Sequence, residues 1–358
     1  MKRMAACISL LILSLSACTG ASVLEPDATP IPSLAPTDTV ELPTPTRPIP
    51  STKPAGESEK RCGDGVCDGP ENAQNCPEDC AEDTPAPLDS TTGQVADITF
   101  ATVEGTSLEL DAYLPGVPGP HPAVILIHGG RWQSLDKSAE KPLGKKMVEW
   151  GYAAFAINYR LAPQFPLPAQ IADVQCAIAW VREHAAEYDV DPERIAVLGT
   201  SAGGHLAALA GLVTDPSWEP SCGDSETDLS VQAIISCFGV MDLALYAEQG
   251  SNAKQIITKL LGEPCQDNLD LCKMFSPINY VSADVPPTLL IHGVDDEAVD
   301  IENSQRMADA LEEAGADVTF LPIRNAGHAF IWKLHSPAAQ IALEAIKDFL
   351  DENLKASN

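Results

Sequence analysis

Short, continuous apolar runs recur from about Val95 onward, and they constrain the fold more than any other feature of the sequence. Segments with helical periodicity separate these runs, and Ser107–Leu114 alternates apolar and polar residues. A continuous apolar run is typical of a central parallel strand covered on both faces, whereas alternation is typical of a half-exposed antiparallel strand. The pattern therefore predicts the α/β class: a mostly parallel central sheet with helices on both faces, preceded by antiparallel strands.

The apolar pattern also places the individual elements of this domain, which we assign to residues 93–354. The predicted central strands are Ala123–Gly129, Tyr152–Tyr159, Arg194–Gly199, Val231–Gly239 and Pro287–Gly293. The predicted helices are Ala139–Trp150, Pro168–Tyr188, Ser201–Val213, Ile301–Ala314 and Pro337–Leu350. Gly151 and Gly315 follow two of these helices, at positions that favour left-handed backbone. Residues 241–283 break the alternation and are predicted to form a cap-like excursion.

The N-terminal residues have the pattern of an export signal followed by a spacer. Residues 1–17 combine a basic start with a short apolar run, and the sequence Leu15-Ser16-Ala17-Cys18 resembles a bacterial lipoprotein signal. That resemblance implies cleavage before Cys18, lipid attachment to Cys18 and an exported protein anchored to a membrane at the cell surface or facing the periplasm. An ordinary secretory signal is the alternative. Residues 18–61 are rich in proline and threonine and predict a linker without a packed core.

Four cysteines lie close together after this linker, at positions 62, 67, 76 and 80. With glycine and proline between them, they predict a small disulfide-rich module over residues 62–80, whose pairing the spacing leaves open. Its acidic residues could hold calcium, although their spacing does not match an EF-hand loop. Elsewhere, Cys265 and Cys272 are expected to close a small loop, Cys222 to pair with Cys237, and Cys176 to remain a buried free thiol.

The formal net charge is −29, from 51 acidic and 22 basic residues. No basic surface stripe could offset the repulsion between such a chain and phosphates, so nucleic acid is excluded as a partner. The simpler interpretation of this excess of acidic residues is that it keeps the protein soluble outside the cell.

One serine has almost no side-chain bulk around it, in the stretch "GTSAGGH" that begins at Gly199. The stretch contains Gly-x-Ser-x-Gly between a predicted strand and a predicted helix, the arrangement that projects a nucleophilic Ser201 from a strained turn. A serine that caps a helix is the alternative for the motif taken alone. About 70 residues earlier, "HGGRW" ends another strand, and its bare glycines expose backbone amides. The amides of Gly129, Gly130 and Ala202 are predicted to form an oxyanion hole.

An acid and a base should follow the serine in the order Ser, acid, His. The candidate acids follow the strand that ends in "HG" and are Asp295, Asp296, Glu297 and Asp300. Only His328 and His335 lie after them, and His335 has the pattern of a surface residue. His205, directly after the serine turn, is expected to be a packed structural residue.

Five blocks resemble α/β-hydrolase esterases of the hormone-sensitive-lipase-like group, which includes acetylxylan and feruloyl esterases. They are "HGGRW", "NYRLAPQFPLPAQIADVQCAIAWV", "DPERIAVLGTSAGGHLAAL", "PPTLLIHGVDDEAV" and "NAGHAF". The resemblance implies that Ser201 is the nucleophile and His328 the base. It selects Asp296 as the acid, because the family's acid lies four residues after the histidine of "HG". Where the family often has a small residue, this chain has Arg131, so the side chain could narrow the pocket.

The resemblance implies a serine carboxylesterase acting on short acyl or aryl esters, with acetyl and feruloyl groups on polysaccharide as one candidate class. Such a reaction requires no metal and no organic cofactor. The first alternative is a serine peptidase of the prolyl-oligopeptidase type, although the chain has no propeller domain. The second is a non-catalytic surface binding protein.

We further expect Arg160 and Asp173 to form a structural ion pair.

Overall fold

A computed structural model of the protein describes residues 93–213 and 228–355. The predicted signal peptide (1–17), linker (18–61) and cysteine-rich module (62–80) lie outside these residues, as do Cys18 and Cys222.

Eight strands form one sheet over the described residues, in the order β1-β2-β4-β3-β5-β6-β7-β8. The strands are β1 (Gln94–Val103), β2 (Thr106–Tyr113), β3 (His121–Ile127), β4 (Ala153–Ile157), β5 (Val190–Thr200), β6 (Ala233–Cys237), β7 (Thr288–Gly293) and β8 (Val318–Ile323). Strand β2 pairs antiparallel with β1 and with β4, and all other neighbours are parallel. This is the predicted α/β-hydrolase arrangement, and it aligns the ends of the parallel strands along one edge of the sheet.

Eight α-helices connect these strands or follow them in the described part of the chain. They are α1 (Lys141–Glu149), α2 (Ala169–Glu183), α3 (Ala202–Leu212), α4 (Leu243–Glu248), α5 (Ser251–Leu261), α6 (Leu269–Met274), α7 (Glu302–Ala314) and α8 (Pro337–Leu354). Helices α4, α5 and α6 occupy the segment predicted as a cap-like excursion, between β6 and β7. Gly151 and Gly315 have φ of +86° and +81°, the left-handed backbone predicted for them.

The sheet separates two apolar cores, because successive side chains of its strands face opposite sides. Ile125 and Ile127 of β3 pack with α2 and α3, whereas Val124 and Leu126 pack with α1 and α8. A smaller cluster packs α7 against β7 and α3. All five residues of β4 are buried, which explains why the central strands are apolar at every position.

The cysteines follow the sequence predictions only in part. Cys265 and Cys272 form the predicted disulfide, which links the middle of the α5–α6 connection to α6. Cys237 is instead a buried free thiol, so the predicted pairing with Cys222 is wrong. Its side chain packs in the core beneath α1 and α8. Cys176 is disulfide-bonded, so the prediction of a free thiol there is also wrong.

Candidate active site

Ser201 occupies a strained turn between β5 and α3, at the edge of the sheet where the parallel strands end. Its φ is +55°, a value that non-glycine residues seldom adopt. A Cβ atom at Gly199 would lie 2.0 Å from the carbonyl oxygen of Gly203, and one at Gly203 would lie 2.0 Å from that of Ile127. Both positions therefore require glycine, as the motif predicted.

The structure brings Ser201, His328 and Asp296 together from three different loops. His328 Nε2 lies 2.9 Å from Ser201 Oγ, and His328 Nδ1 lies 2.7 Å from Asp296 Oδ2. The three residues follow β5, β7 and β8, whose ends meet at one edge of the sheet. Such an array can move the serine proton to the imidazole while the carboxylate fixes the ring's tautomer.

Local hydrogen bonds hold Asp296 in its ionised form. Burial of the carboxyl opposes ionisation, but hydrogen bonds from His292 and His328 outweigh it and keep the pKa of Asp296 below its usual value. The other carboxylate oxygen accepts the amides of Ala298 at 2.9 Å and Val299 at 3.0 Å. Asp295, the competing acid, is exposed and makes no contact of this kind with His328.

His335 and His205 occupy the positions expected of them. His335 is exposed. His205 is completely buried, with Nε2 2.7 Å from the carbonyl oxygen of Phe275, and its Nδ1 accepts the indole N–H of Trp132 at 3.2 Å. It therefore ties α3 to the segment after α6 and to the "HGGRW" turn.

Gly129 and Ala202, two of the three residues predicted to supply oxyanion amides, lie beside the serine. A Cβ atom at Gly129 would lie 3.3 Å from Ser201 Cβ, so this glycine allows the "HGGRW" segment to pass directly over the nucleophile. Gly130 has φ of +100° and closes a tight turn by accepting the amides of Gln133 and Ser134. Ala202 begins α3, where the first amides of a helix have no acceptor within the helix.

Two buried groups behind these elements escaped the sequence analysis. Tyr159 donates to the carbonyl oxygens of His128 and Gly129, 3.0 Å away in each case. Glu140 accepts a hydrogen bond of 3.0 Å from Thr200 Oγ1, directly before the nucleophile. No local sequence pattern could have identified either residue, because each of these contacts joins segments at least 30 residues apart.

The predicted Arg160–Asp173 ion pair is present and buried. The guanidinium lies 2.7 Å from Asp173 Oδ1, and the backbone amide of Arg160 donates to Oδ2 at 2.8 Å. The pair therefore attaches the segment after β4 to α2 and has a structural role.

A cavity of about 500 Å³ opens at His328. Arg131, Tyr246, Gln249, Asn252, Asp295 and Glu297 contribute to its wall. Arg131 therefore reaches the pocket, as its position in the family pattern suggested. Most residues of this wall are polar or charged. The amides and carboxylates of this wall can exchange hydrogen bonds with hydroxyl groups.

A family model described as BD-FAE matches residues 110–311, more than half of the chain of 358 residues. The chain belongs to the BD-FAE family. The matched range of this BD-FAE protein contains Ser201 and Asp296, and His328 follows it.

Named relatives and solved structures of similar fold are esterases. Esterase LipQ of Mycobacterium tuberculosis is 38% identical over 237 residues, which cover 64% of this chain and 55% of LipQ. This BD-FAE chain spans about half the length of the curated relatives it matches. A truncated carbohydrate esterase from gut microbiota superimposes with a TM-score of 0.66 at 28% identity, covering 75% of this chain and 99% of that one.

A second similar structure is a thermophilic esterase of Thermogutta terrifontis, solved with propionate bound. It superimposes on the BD-FAE protein with a TM-score of 0.64 at 29% identity, covering 76% of this chain and 99% of that one. These likenesses support the α/β-hydrolase assignment over nearly the whole length of both solved chains.

Two features are absent from residues 93–213 and 228–355. No cluster of three or more His, Cys, Asp or Glu side chains there has the arrangement of a metal site. None of the helices there is both long enough and apolar enough to span a bilayer.

Proposed function

We propose that this protein is a serine carboxylesterase that hydrolyses short-chain acyl or aryl esters through an acyl-enzyme. The observation that carries the proposal is the continuous hydrogen-bonded array from Ser201 Oγ through His328 to Asp296. The esterase names of the relatives support the same reaction class.

The proposed reaction uses the groups of this site in sequence. His328 Nε2 accepts the proton of Ser201 as Oγ attacks the ester carbonyl carbon, and ionised Asp296 stabilises the resulting imidazolium. The carbonyl oxygen becomes an oxyanion that accepts hydrogen bonds from the amides of Gly129, Gly130 and Ala202. The C–O bond to the alcohol then breaks, and His328 gives its proton to the departing alcohol.

Water completes the cycle. It attacks the acyl carbon of the Ser201 ester while His328 accepts its proton, and a second tetrahedral intermediate forms. Its collapse releases the carboxylic acid and returns the proton to Ser201 Oγ. The residues of the site are restored, and no other reactant is consumed.

For the substrate, we propose esters of small acids with hydroxyl-rich alcohols, including acetyl or feruloyl groups on polysaccharide. The polar wall formed by Gln249, Asn252, Asp295 and Glu297 can bind the hydroxyl groups of the alcohol. The carbohydrate esterase of similar structure supports a sugar-linked ester, and the propionate-bound esterase supports a short acyl group.

For the location, we propose an exported lipoprotein. The residues before and at Cys18 have the pattern of lipid attachment, and the proline-rich linker that follows could hold the catalytic domain away from the membrane. The enzyme would then act on extracellular or periplasmic esters.

The test of catalysis uses p-nitrophenyl acetate with the purified protein. We expect a burst of p-nitrophenol followed by steady release, and a loss of at least about 10³-fold in kcat for Ser201→Ala. Ser230→Ala is the matched control, because Ser230 precedes β6 at the opposite end of the sheet and, among the described residues, its hydroxyl bonds to Asp228. An active Ser201→Ala protein, or cleavage of peptides without ester hydrolysis, would refute the proposal.

The natural ester is tested with a panel of acetylated xylan, feruloyl esters and short aliphatic esters. We expect the highest kcat/KM on a sugar-linked ester. A clear preference for long aliphatic esters would contradict the proposed substrate class without affecting the proposed mechanism.

A further inference from the structure

Two successive carbonyl groups beside the nucleophile converge on one phenol. Tyr159 follows β4, and its Oη lies 3.0 Å from the carbonyl oxygens of both His128 and Gly129. The tyrosine is buried, so it contacts the segment from inside the protein. Burial, and then the nearby Glu140, raise the pKa of Tyr159, and its hydroxyl therefore remains a donor.

The imidazole of His128 reinforces this arrangement. Its Nδ1 lies 2.7 Å from the Gly129 carbonyl oxygen, and its ring stacks on Tyr159 with centroids 4.2 Å apart. Burial lowers the pKa of His128 to about 4, so the ring is neutral near pH 7. Since the facing atom is a carbonyl oxygen, the proton of the neutral ring belongs on Nδ1 and is donated to it.

Fixing a carbonyl also fixes the amide of the next residue. In a planar trans peptide, C=O and N–H point in opposite directions. Because the carbonyls of His128 and Gly129 are directed at Tyr159, the amides of Gly129 and Gly130 are directed away from it. Gly129 also lies against Ser201, since a Cβ atom there would be 3.3 Å from Ser201 Cβ.

We propose that Tyr159 is a positioning residue for ester hydrolysis, whose hydroxyl holds the oxyanion-binding amides of Gly129 and Gly130 through the carbonyls of His128 and Gly129. This inference rests on the proposed esterase function. Tyr159 contacts neither the reacting atoms nor the cavity at His328. Donors aligned before the reaction stabilise the transition state most, because no reorganisation is needed when the oxyanion forms.

Burial of a tyrosine does not by itself account for this geometry. One acceptor satisfies a phenol proton, and Tyr152 shows this simpler case, since its Oη donates to Asp351 at 2.7 Å. Tyr159 instead contacts two consecutive carbonyls of the one segment that passes over the nucleophile. Tyr152 is therefore a matched control: it is equally inaccessible, and it contacts α8 instead of the site.

The experiment compares Tyr159→Phe with Tyr152→Phe, using p-nitrophenyl acetate. Both substitutions remove one oxygen from a buried ring. We expect Tyr159→Phe to lower kcat by about 10- to 100-fold, less than the loss of an oxyanion donor itself, with KM changed by less than about twofold. Tyr152→Phe should leave kcat within about twofold of the unsubstituted protein.

Two further measurements separate positioning from misfolding. Titration with diethyl p-nitrophenyl phosphate counts competent Ser201 sites, and we expect nearly one per chain in both variants. The affinity for phenylboronic acid, whose adduct with Ser201 resembles the tetrahedral intermediate, should fall in Tyr159→Phe by about the same factor as kcat/KM.

The outcomes distinguish the two proposals. An unchanged kcat in Tyr159→Phe, or a loss explained fully by fewer titratable sites, would refute the positioning role while leaving the esterase intact. A rise in KM with unchanged kcat would refute it as well. An unsubstituted protein that releases no phenol from any ester would end both proposals.

Discussion

Glu140 carries a carboxyl group that is completely buried behind the residue preceding Ser201. Its Oε1 accepts from Thr200, whereas Oε2 has no hydrogen-bond partner within the described residues. Burial raises the pKa of Glu140 from 4.5 to about 7, and the hydrogen bond from Thr200 only partly opposes this. Tyr113, Tyr159 and Cys237 are titratable groups that its charge influences, and none of the three is positively charged.

The raised pKa predicts a pH-dependent stability. Because the folded protein holds this proton more tightly than the unfolded chain does, the contribution of Glu140 to stability is greatest below about pH 4.5, falls as the pH approaches 7, and changes no further above it. Glu140→Gln cannot ionise, so its stability relative to the unsubstituted protein should rise by up to about 3 kcal/mol between pH 5 and pH 8.

Urea unfolding at the two pH values measures this difference. Glu149→Gln is the control, because Glu149 is exposed on α1 and pairs there with Lys146. A stability difference for Glu140→Gln that is constant with pH would show that the carboxyl does not titrate in this range.

One buried ion pair contributes to the attachment of α2, whereas α7 carries an exposed pair on its surface. Arg160 and Asp173 are almost inaccessible, and Asp173 also accepts the amide of Arg160. Arg306 and Glu302, one turn apart on α7, are about half exposed. Removing one partner of a buried pair leaves an unpaired charge in a medium of low dielectric constant, whereas water solvates the partner of an exposed pair.

Truncation of Asp173 should therefore lower the stability of the protein much more than truncation of Glu302. We expect Asp173→Ala to lower the free energy of unfolding by about 3–5 kcal/mol and Glu302→Ala to lower it by less than about 1 kcal/mol. The midpoints of guanidinium unfolding measure both effects. Similar losses for the two variants would mean that the Arg160 contact contributes no more than a surface pair.

Most helices and strands could be predicted from the apolar pattern of the sequence, but the end of α2 could not. Strand β7 begins within one residue of the predicted start, because its apolar run is bounded by proline and glycine. Helix α2 instead ends at Glu183, five residues before the predicted end. Ala185 and Tyr188 remain buried beyond that point, so the apolar pattern continues although the helix has ended.

At the scale of the molecule, sequence motifs predicted which residues meet at the candidate site, but not what supports them. The strand-turn-helix motif placed Ser201, and chain order placed His328 after the acid. The support from Tyr159 depends on a hydroxyl reaching backbone carbonyls, which are the same at every position. The states of Cys176 and Cys237 were wrongly predicted for a related reason, since both lie in apolar runs that look alike.

The proposed anchor makes a prediction for the full-length protein. After expression in a bacterium that processes lipoproteins, we expect the protein to enter the detergent phase of Triton X-114 and Cys18→Ala to remain in the aqueous phase. Cys7→Ala, within the predicted signal, should behave like the unsubstituted protein. Labelling with radioactive palmitate provides a second measurement. Detergent partitioning that persists in Cys18→Ala would refute the anchor.

The three side chains of the candidate site belong to distant parts of the chain: 127 residues separate Ser201 from His328, and 32 separate Asp296 from His328. They meet only after β5, β7 and β8 are aligned in register, and no fragment lacking one of these strands could assemble them. Turnover would consequently report the completion of folding. In a refolding experiment, enzymatic activity would be among the last properties to return, after secondary structure and after burial of the tryptophans.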